Sequence, residues 1–285
     1  MSAIRSEVTT RFLDVAGGRL AYDDRGTGPV VICVPGMGDI RAEYRLLAPQ
    51  LIDAGYRVVT LDVRGHGESS VGWPRYSAAA VAEDVIALAR ALNAGPVTVI
   101  GTSMAAGTAV CAAADAPELI ASIALISPVA RDTMPRWRSR LLYATLAPLF
   151  SGPWGPSLWI RYLRTLYPTS QPADFEAYLR RVETNMREPG RMAALRGLLA
   201  ATQTESGERL ARVNVPALVL MGTKDRDFPN PEAEARLITN SLGRPAQVHM
   251  IEGAGHYPHA EAPAIVGPLV IAFLNSVREA VAHGA

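Results

Sequence analysis

Cysteine is nearly missing from this sequence. Cys33 and Cys111 are the only two, too few for a disulfide framework or a four-cysteine zinc site. Both sit in apolar runs, so buried thiols are expected. Lysine is scarcer still: Lys224 stands alone beside 27 arginines, a bias so uniform that it reads as coding background and carries no functional message. An excess of one charge is absent too, because 28 basic and 27 acidic residues leave +1. Nothing in that balance marks a nucleic-acid partner. Metal-ligand spacings such as His-Glu-x-x-His do not occur, and neither a metal nor a cofactor is expected. The segment Met1 to Thr10 holds Arg5 and Glu7 and no apolar h-region, so it does not resemble a signal peptide, and a cytoplasmic location is expected. Clean apolar spans are lacking as well. Two uncharged stretches, 91–114 and 141–160, reach the length of about 20 residues that a bilayer requires. The first contains Asn93, Gly95, Pro96 and Gly101, and the second is broken by Pro148, Gly152, Pro153, Gly155 and Pro156. Neither is expected to span.

What is present is a globular composition, with 49% hydrophobic residues in 285. Short apolar runs alternate with helical patterns, which predicts an α/β protein with a mostly parallel sheet. Val30 to Val34 is a continuous apolar run between Gly-Pro and Pro-Gly, as a strand buried on both faces requires. Arg57 to Leu61, Val97 to Ile100, Ser122 to Ile126, Ala217 to Met221 and Gln247 to Ile251 read the same way. Helices are predicted at about Glu43 to Asp53, Ser77 to Leu92, Met104 to Ala114, Pro231 to Leu242 and Ala262 to Ala282. Phe12 to Val15 and Leu20 to Asp24, around Gly17-Gly18, read as an antiparallel hairpin at the sheet edge.

The alternation stops from Arg131 to Arg212. That stretch has no clear strand, seven of the 21 prolines and nine of the 18 aromatic residues. It carries 13 arginines against seven acids, or +6, which leaves −5 on the remaining 203 residues. The expected organisation is a helical cap, 131–212, inserted in one α/β core made of 1–130 and 213–285.

The segment Val97-Thr-Val-Ile-Gly-Thr-Ser-Met-Ala-Ala-Gly107 carries the strongest chemical signal. An apolar strand runs into Ser103 among small residues and then into an Ala-rich helix. A turn this tight lifts the hydroxyl above the sheet and sets it at a helix N-terminus, which favours developing negative charge. The plainer alternative is a serine that merely caps the following helix. A serine nucleophile needs a base, and the base an orienting acid. Among five histidines, His249 lies in a strand pattern, His283 in the tail and His66 in the Gly-rich turn Asp62 to Ser69. His256 and His259 follow the last strand, at the edge where sites of parallel sheets form. His256 comes directly after Gly-Ala-Gly and is preferred to His259. The loop Leu220 to Pro229 supplies Asp225 as the acid, with Asp227 second; for either, a solvated turn carboxylate is the bland reading.

Together these pieces resemble the α/β-hydrolase superfamily over nearly the whole chain. The resemblance rests on the elbow around Ser103, on Gly222-Thr-Lys-Asp225 with Pro229, and on Gly255-His256 followed by Glu261 and Pro263. The turn Asp62-Val-Arg-Gly-His-Gly-Glu-Ser69 matches a recurring turn of that family, and the order Ser, Asp, His is its order. The resemblance implies an α/β-hydrolase fold, a Ser103–His256–Asp225 triad, and an oxyanion hole made by the backbone N–H groups of Met37 and Met104. It also implies a helical cap roofing the site, with Trp154 and Trp159 as candidate substrate-binding walls or, equally, as residues packing the cap. Three positions depart from the family pattern: Pro35 replaces a histidine that normally braces the oxyanion loop, Ala105 replaces glycine, and Thr102 stands where histidine is common.

The implied activity is hydrolysis of a carboxylic ester on a small acyl substrate, with an anionic or carrier-bound one suggested by the basic cap. Thioester hydrolysis, C–C bond hydrolysis and cofactor-free peroxidation use the same triad. A non-catalytic ligand receptor is the alternative from another class, although such relatives usually lose a triad member. Gly36-Met-Gly-Asp-Ile-Arg41 imitates a dinucleotide fingerprint, but Arg41 replaces its third glycine.

Overall fold

A computed structural model describes residues 9–282; Arg5, Glu7 and His283 lie outside the described residues. Eight strands form one sheet: β1 (Arg11–Val15), β2 (Gly18–Arg25), β3 (Val30–Val34), β4 (Arg57–Leu61), β5 (Val97–Thr102), β6 (Ile120–Ile126), β7 (Ala217–Gly222) and β8 (Gln247–Ile251). Their spatial order is β1-β2-β4-β3-β5-β6-β7-β8. The β1–β2 hairpin pairs antiparallel with itself and with β4, and every other pairing is parallel. The fold is thus the α/β architecture that the alternating runs predicted.

Alternation within the strands divides the core. Val30, Ile32 and Val34 of β3 enter one cluster, while Val31 and Cys33 enter the cluster on the opposite face. A two-residue period with apolar side chains on both sides requires helices on both faces. They are α1 (Leu47–Asp53), α2 (Ala78–Leu92), α3 (Met104–Asp115), α9 (Pro231–Ser241), α10 (Pro258–Glu261) and α11 (Pro263–Ala282), with α4 (Arg136–Leu146), α5 (Gly155–Thr165), α6 (Phe175–Met186), α7 (Arg191–Ala200) and α8 (Thr204–Gly207) all lying between β6 and β7. Ser77 starts α2 by accepting the Ala80 N–H, and Asn93 ends it in a left-handed conformation. Asn230 caps α9 in the same way, ahead of Pro231 at its first position.

One predicted helix is two elements. Arg41–Arg45 is a 3-10 turn, and α1 starts only at Leu47. The turn directs Glu43 and Tyr44 into the interior, where they bond to Gly36 N and Val34 O. The uncharged stretch 91–114 divides into the end of α2, β5 and α3, and no helix among the described residues is long and apolar enough to cross a membrane.

Helices α5, α6 and α7 form a cluster of their own, with Trp159, Leu163, Phe175, Leu179 and Leu195 packed on Ile40 and Tyr257. Ile40 and Tyr257 lie on the loops after β3 and β8. The six parallel strands β3 to β8 end at one edge of the sheet, and these helices sit on that edge.

Candidate active site

Ser103 joins β5 to α3 with φ 57° and ψ −124°, a backbone state that disfavours any side chain by about 1–3 kcal/mol. Three bonds hold it: its N–H donates to Ile126 O, and its carbonyl accepts from Ala106 N and Val129 N. Its side chain makes no capping bond, so the capping alternative fails. The turn depends on Gly101, where a Cβ would lie 2.1 Å from Ala105 O. Ala105, the family departure, is fully buried and its methyl is accommodated. Met104 opens α3, so its N–H has no acceptor within the helix.

Asp225 and His256 meet as expected. The His256 Nδ1 lies 2.8 Å from Asp225 Oδ2, and both side chains are almost fully buried. Asp225 Oδ1 accepts the Asp227 N–H at 3.0 Å, which fixes the carboxylate plane. The His256 backbone is held by its N–H on Leu166 O at 3.0 Å. Gly255 is needed for that approach, since a Cβ there would lie 2.4 Å from the same carbonyl. Glu261, burial raising its pKa to about 7, accepts the Gly255 N–H at 2.8 Å.

The other face of the imidazole holds a second acid. Asp227 Oδ2 is 3.6 Å from His256 Nε2, and both Asp227 oxygens accept from the Tyr162 hydroxyl of α5, at 2.8 and 2.9 Å. Burial pulls the His256 pKa down, but Asp225, then Asp227 and Glu43, raise it to about 9. Among the described residues the Ser103 hydroxyl makes no hydrogen bond; such contacts commonly close only when substrate is bound. Asp225, Asp227 and His256 bring one possible metal-ligand atom each within 4.8 Å of one another. The Nδ1–Oδ2 spacing of 2.8 Å is a hydrogen bond, shorter than the roughly 3.3 Å between two ligands of one zinc ion at about 2.0 Å.

Beside Ser103 runs the loop after β3. A Cβ on Gly36 would be 3.4 Å from Ser103 Cβ. Gly36 N donates to Glu43 Oε2 at 2.7 Å, and Gly36 O accepts from Asp39 N at 3.3 Å. Asp39 Oδ1 in turn accepts from Ile40 N at 2.7 Å and from the Tyr178 hydroxyl of α6. Burial, with Glu43 nearby, pushes the Asp39 carboxyl up to about 8. Met37 borders a cavity of about 280 Å³ whose walls include Val129, Met134, Leu142, Leu146 and Leu198. Arg131, the one cation among the described lining residues, is paired through two contacts with Glu234. A larger cavity, about 490 Å³, opens between Arg41, Glu68 and Arg180; none of the triad residues lines either cavity, and only the smaller one is bordered by Met37 of the loop beside Ser103.

The two candidate tryptophans differ. Trp159 is buried and donates its Nε1–H to Gly38 O at 2.9 Å, while Trp154 is 56% exposed; neither borders the Met37 cavity. His66 is buried, which lowers its pKa to about 4, and Cys33 and Cys111 are buried free thiols. The apparent dinucleotide fingerprint is occupied internally, because Asp62 accepts from the Arg41 backbone at 2.7 Å and pairs with its guanidinium. Sequence reasoning passed over Asp39, Glu43 and Tyr162. The one available signal was two acids, Asp39 and Glu43, placed beside a Gly-rich loop at a strand end.

Residues 29–263 match the family model described as alpha/beta hydrolase fold, and the chain belongs to that family. Among curated proteins it is similar to the 2-(acetamidomethylene)succinate hydrolase of Mesorhizobium japonicum, 28% identical over 94% of this chain and 95% of that protein. A putative 2-succinyl-6-hydroxy-2,4-cyclohexadiene-1-carboxylate synthase of Bacillus subtilis is 25% identical over 92% of this chain and 96% of its own. Among solved structures, a thermophilic esterase from Thermogutta terrifontis shares the fold with a TM-score of 0.76 at 24% identity, covering 96% of this chain and 99% of the esterase.

Proposed function

We propose that this protein is a serine hydrolase that cleaves a carboxylic ester through an acyl-enzyme. The observation that carries the reading is the backbone of Ser103, held in a disfavoured conformation with its hydroxyl committed to no cap. Strain of that kind persists only where surrounding structure imposes it, and here it coincides with a buried His–Asp pair on the same sheet edge. His256 takes the proton from Ser103 as the oxygen attacks the acyl carbonyl, and the negative oxygen is received by the N–H groups of Met37 and Met104. Each such donor is worth about 3 kcal/mol in the transition state. Protonated His256 then gives its proton to the leaving alcohol. It next activates water to release the acid, while Asp225 holds the imidazole tautomer throughout.

The segment 131–212 acts as the lid, and the Met37 cavity receives the acyl group. Its apolar walls and its paired Arg131 suit an uncharged acyl chain. A carboxylate-bearing substrate is the second reading, supported by the names of both curated relatives, each of which includes a carboxylate-bearing compound, and by the +6 balance of the lid. A fluorophosphonate probe tests the chemistry: folded protein should label at Ser103, and failure to label sinks the enzyme reading in favour of a ligand receptor. A rate panel of esters, thioesters and diketones, with neutral and carboxylate-bearing members at low and high salt, separates the substrate classes. Indifference to substrate charge and to salt removes the second reading.

A further inference from the structure

We infer that Glu43, seated against His259, is the positioning residue that sets the oxyanion loop, in place of the side chain that Pro35 removes. The inference rests on the serine-hydrolase reading above. Glu43 is fully buried, on the 3-10 turn that interrupts the predicted helix. One carboxyl oxygen accepts the Gly36 N–H at 2.7 Å, and the other lies 3.2 Å from His259 Nε2. His259, itself buried, stacks on Tyr44 with ring centres 5.2 Å apart. The Tyr44 hydroxyl donates to Val34 O at 2.9 Å and sits 2.9 Å from Thr102 Oγ1, the residue before Ser103. One chain of contacts therefore links the ends of β3 and β5 with the loop that carries His256.

The direction of the Met37 N–H follows from this brace. A trans peptide is planar, so its N–H points opposite to its C=O. The peptide between residues 36 and 37 has its C=O engaged by Asp39 N, and the preceding peptide has its N–H engaged by Glu43. With both peptides pinned, Met37 N–H is turned away from Asp39. A buried carboxyl is an expensive way to hold one amide unless the hold matters, because burial without full pairing is unfavourable. The arrangement also gives a use to His259, which the triad leaves idle.

The test compares Glu43→Ala, Glu43→Asp and Glu43→Gln with wild type. It reads kcat and KM on an activated ester, the affinity of a trifluoromethyl ketone that fills the oxyanion site as a hemiketal, and melting temperature. Glu43→Ala should lower kcat about 10²–10³-fold, the effect of losing one oxyanion donor, with KM within about threefold and ketone affinity falling in parallel with kcat. Glu43→Gln keeps an oxygen for Gly36 N and should restore kcat to within about tenfold. Glu43→Asp keeps the charge but is one methylene short, and should stay low. If Glu43→Ala does not fold, the Gln–Asp comparison decides: Gln high and Asp low supports the brace, and equal rates overturn it. A folded Glu43→Ala enzyme with unchanged kcat, or with only KM raised, also overturns it. Ser103→Ala runs alongside. An active Ser103→Ala protein refutes the serine-hydrolase reading itself, whereas an inactive one beside a fully active Glu43→Ala refutes only this inference.

Discussion

Replacing Asp227 with asparagine should make the enzyme faster at neutral pH. In the proposed mechanism His256 must be neutral to take the Ser103 proton, yet the acids around it hold its pKa at about 9 against the opposing pull of burial. At pH 7 that leaves about one molecule in a hundred with a working base. Asp225 is needed for orientation, but Asp227 faces Nε2, the nitrogen that must accept the proton, from 3.6 Å. Two unit charges about 4 Å apart interact by about 4 kcal/mol at the effective dielectric of a protein site. The Asp227 side chain is 24% exposed on an exposed residue and shares its charge with the Tyr162 hydroxyl, so about a third of that figure, roughly 1.4 kcal/mol, is a fair net value. That is about one pKa unit. The acid limb of kcat/KM, which reports the free enzyme, should therefore move from about pH 9 to about pH 8 in Asp227→Asn, and kcat/KM at pH 7 should rise about tenfold. The assay is initial rate on an activated ester from about pH 6 to about pH 10, corrected for buffer hydrolysis. Stability supplies an independent sign. A histidine whose pKa is raised above its unfolded 6.5 stabilises the fold fully below that pH, and the gain is lost as pH rises through about 9. Asp227→Asn should accordingly lower the melting temperature at pH 6 and leave it nearly unchanged above pH 10. An acid limb that stays in place, or moves upward, refutes the placement of Asp227 as the carboxylate that holds the proton on His256.

Three other outcomes follow from the same geometry. Ser103→Ala should reduce kcat by on the order of a million-fold in protein that melts no lower than wild type; a variant retaining a tenth of the activity contradicts the assignment. Gly101→Ala places a Cβ 2.1 Å from Ala105 O, which should destabilise by about 3 kcal/mol and lower the melting temperature by roughly 5 °C, and an unchanged melt would count against the elbow as described. His66 is buried neutral with a pKa of about 4 against 6.5 unfolded, so only the unfolded chain takes up its proton between those values. Stability from this group is intact above about pH 6.5 and falls by on the order of 3 kcal/mol by pH 4; His66→Asn should flatten that part of the acid denaturation curve, and an equally steep curve would show that the acid sensitivity lies elsewhere.

Much of this molecule was legible in the sequence because its governing constraints are local. Val30 to Val34 has to be a strand buried on both faces, since five apolar residues between Gly-Pro and Pro-Gly leave no other economical burial, and β3 spans those very residues. Ser103 announces itself by the small residues a tight strand-to-helix turn demands. Asp225 and His256 are readable for a different reason: each follows a strand of a parallel sheet, so topology alone carries them to one edge, where they meet at 2.8 Å. The loop after β3 was only half legible. Its glycines mark the close approach to Ser103, but Pro35 obscured what holds it. The inferred brace comes from Glu43, seven positions beyond Gly36, whose local pattern, Arg-Ala-Glu-Tyr-Arg, looks like the polar face of a surface helix. That appearance misleads because propensity and periodicity describe how a segment meets water. They carry no information about a single amide at the far end of the turn that needs an acceptor. Asp227 was legible as the second candidate acid, but its bond to Tyr162 was hidden by the same logic at longer range, 65 positions apart, where only the packing of α5 onto the sheet edge brings them together. Long-range polar pairs of this kind leave no periodic trace, and in this protein they tune the proton affinity of His256 and hold the loop beside Ser103.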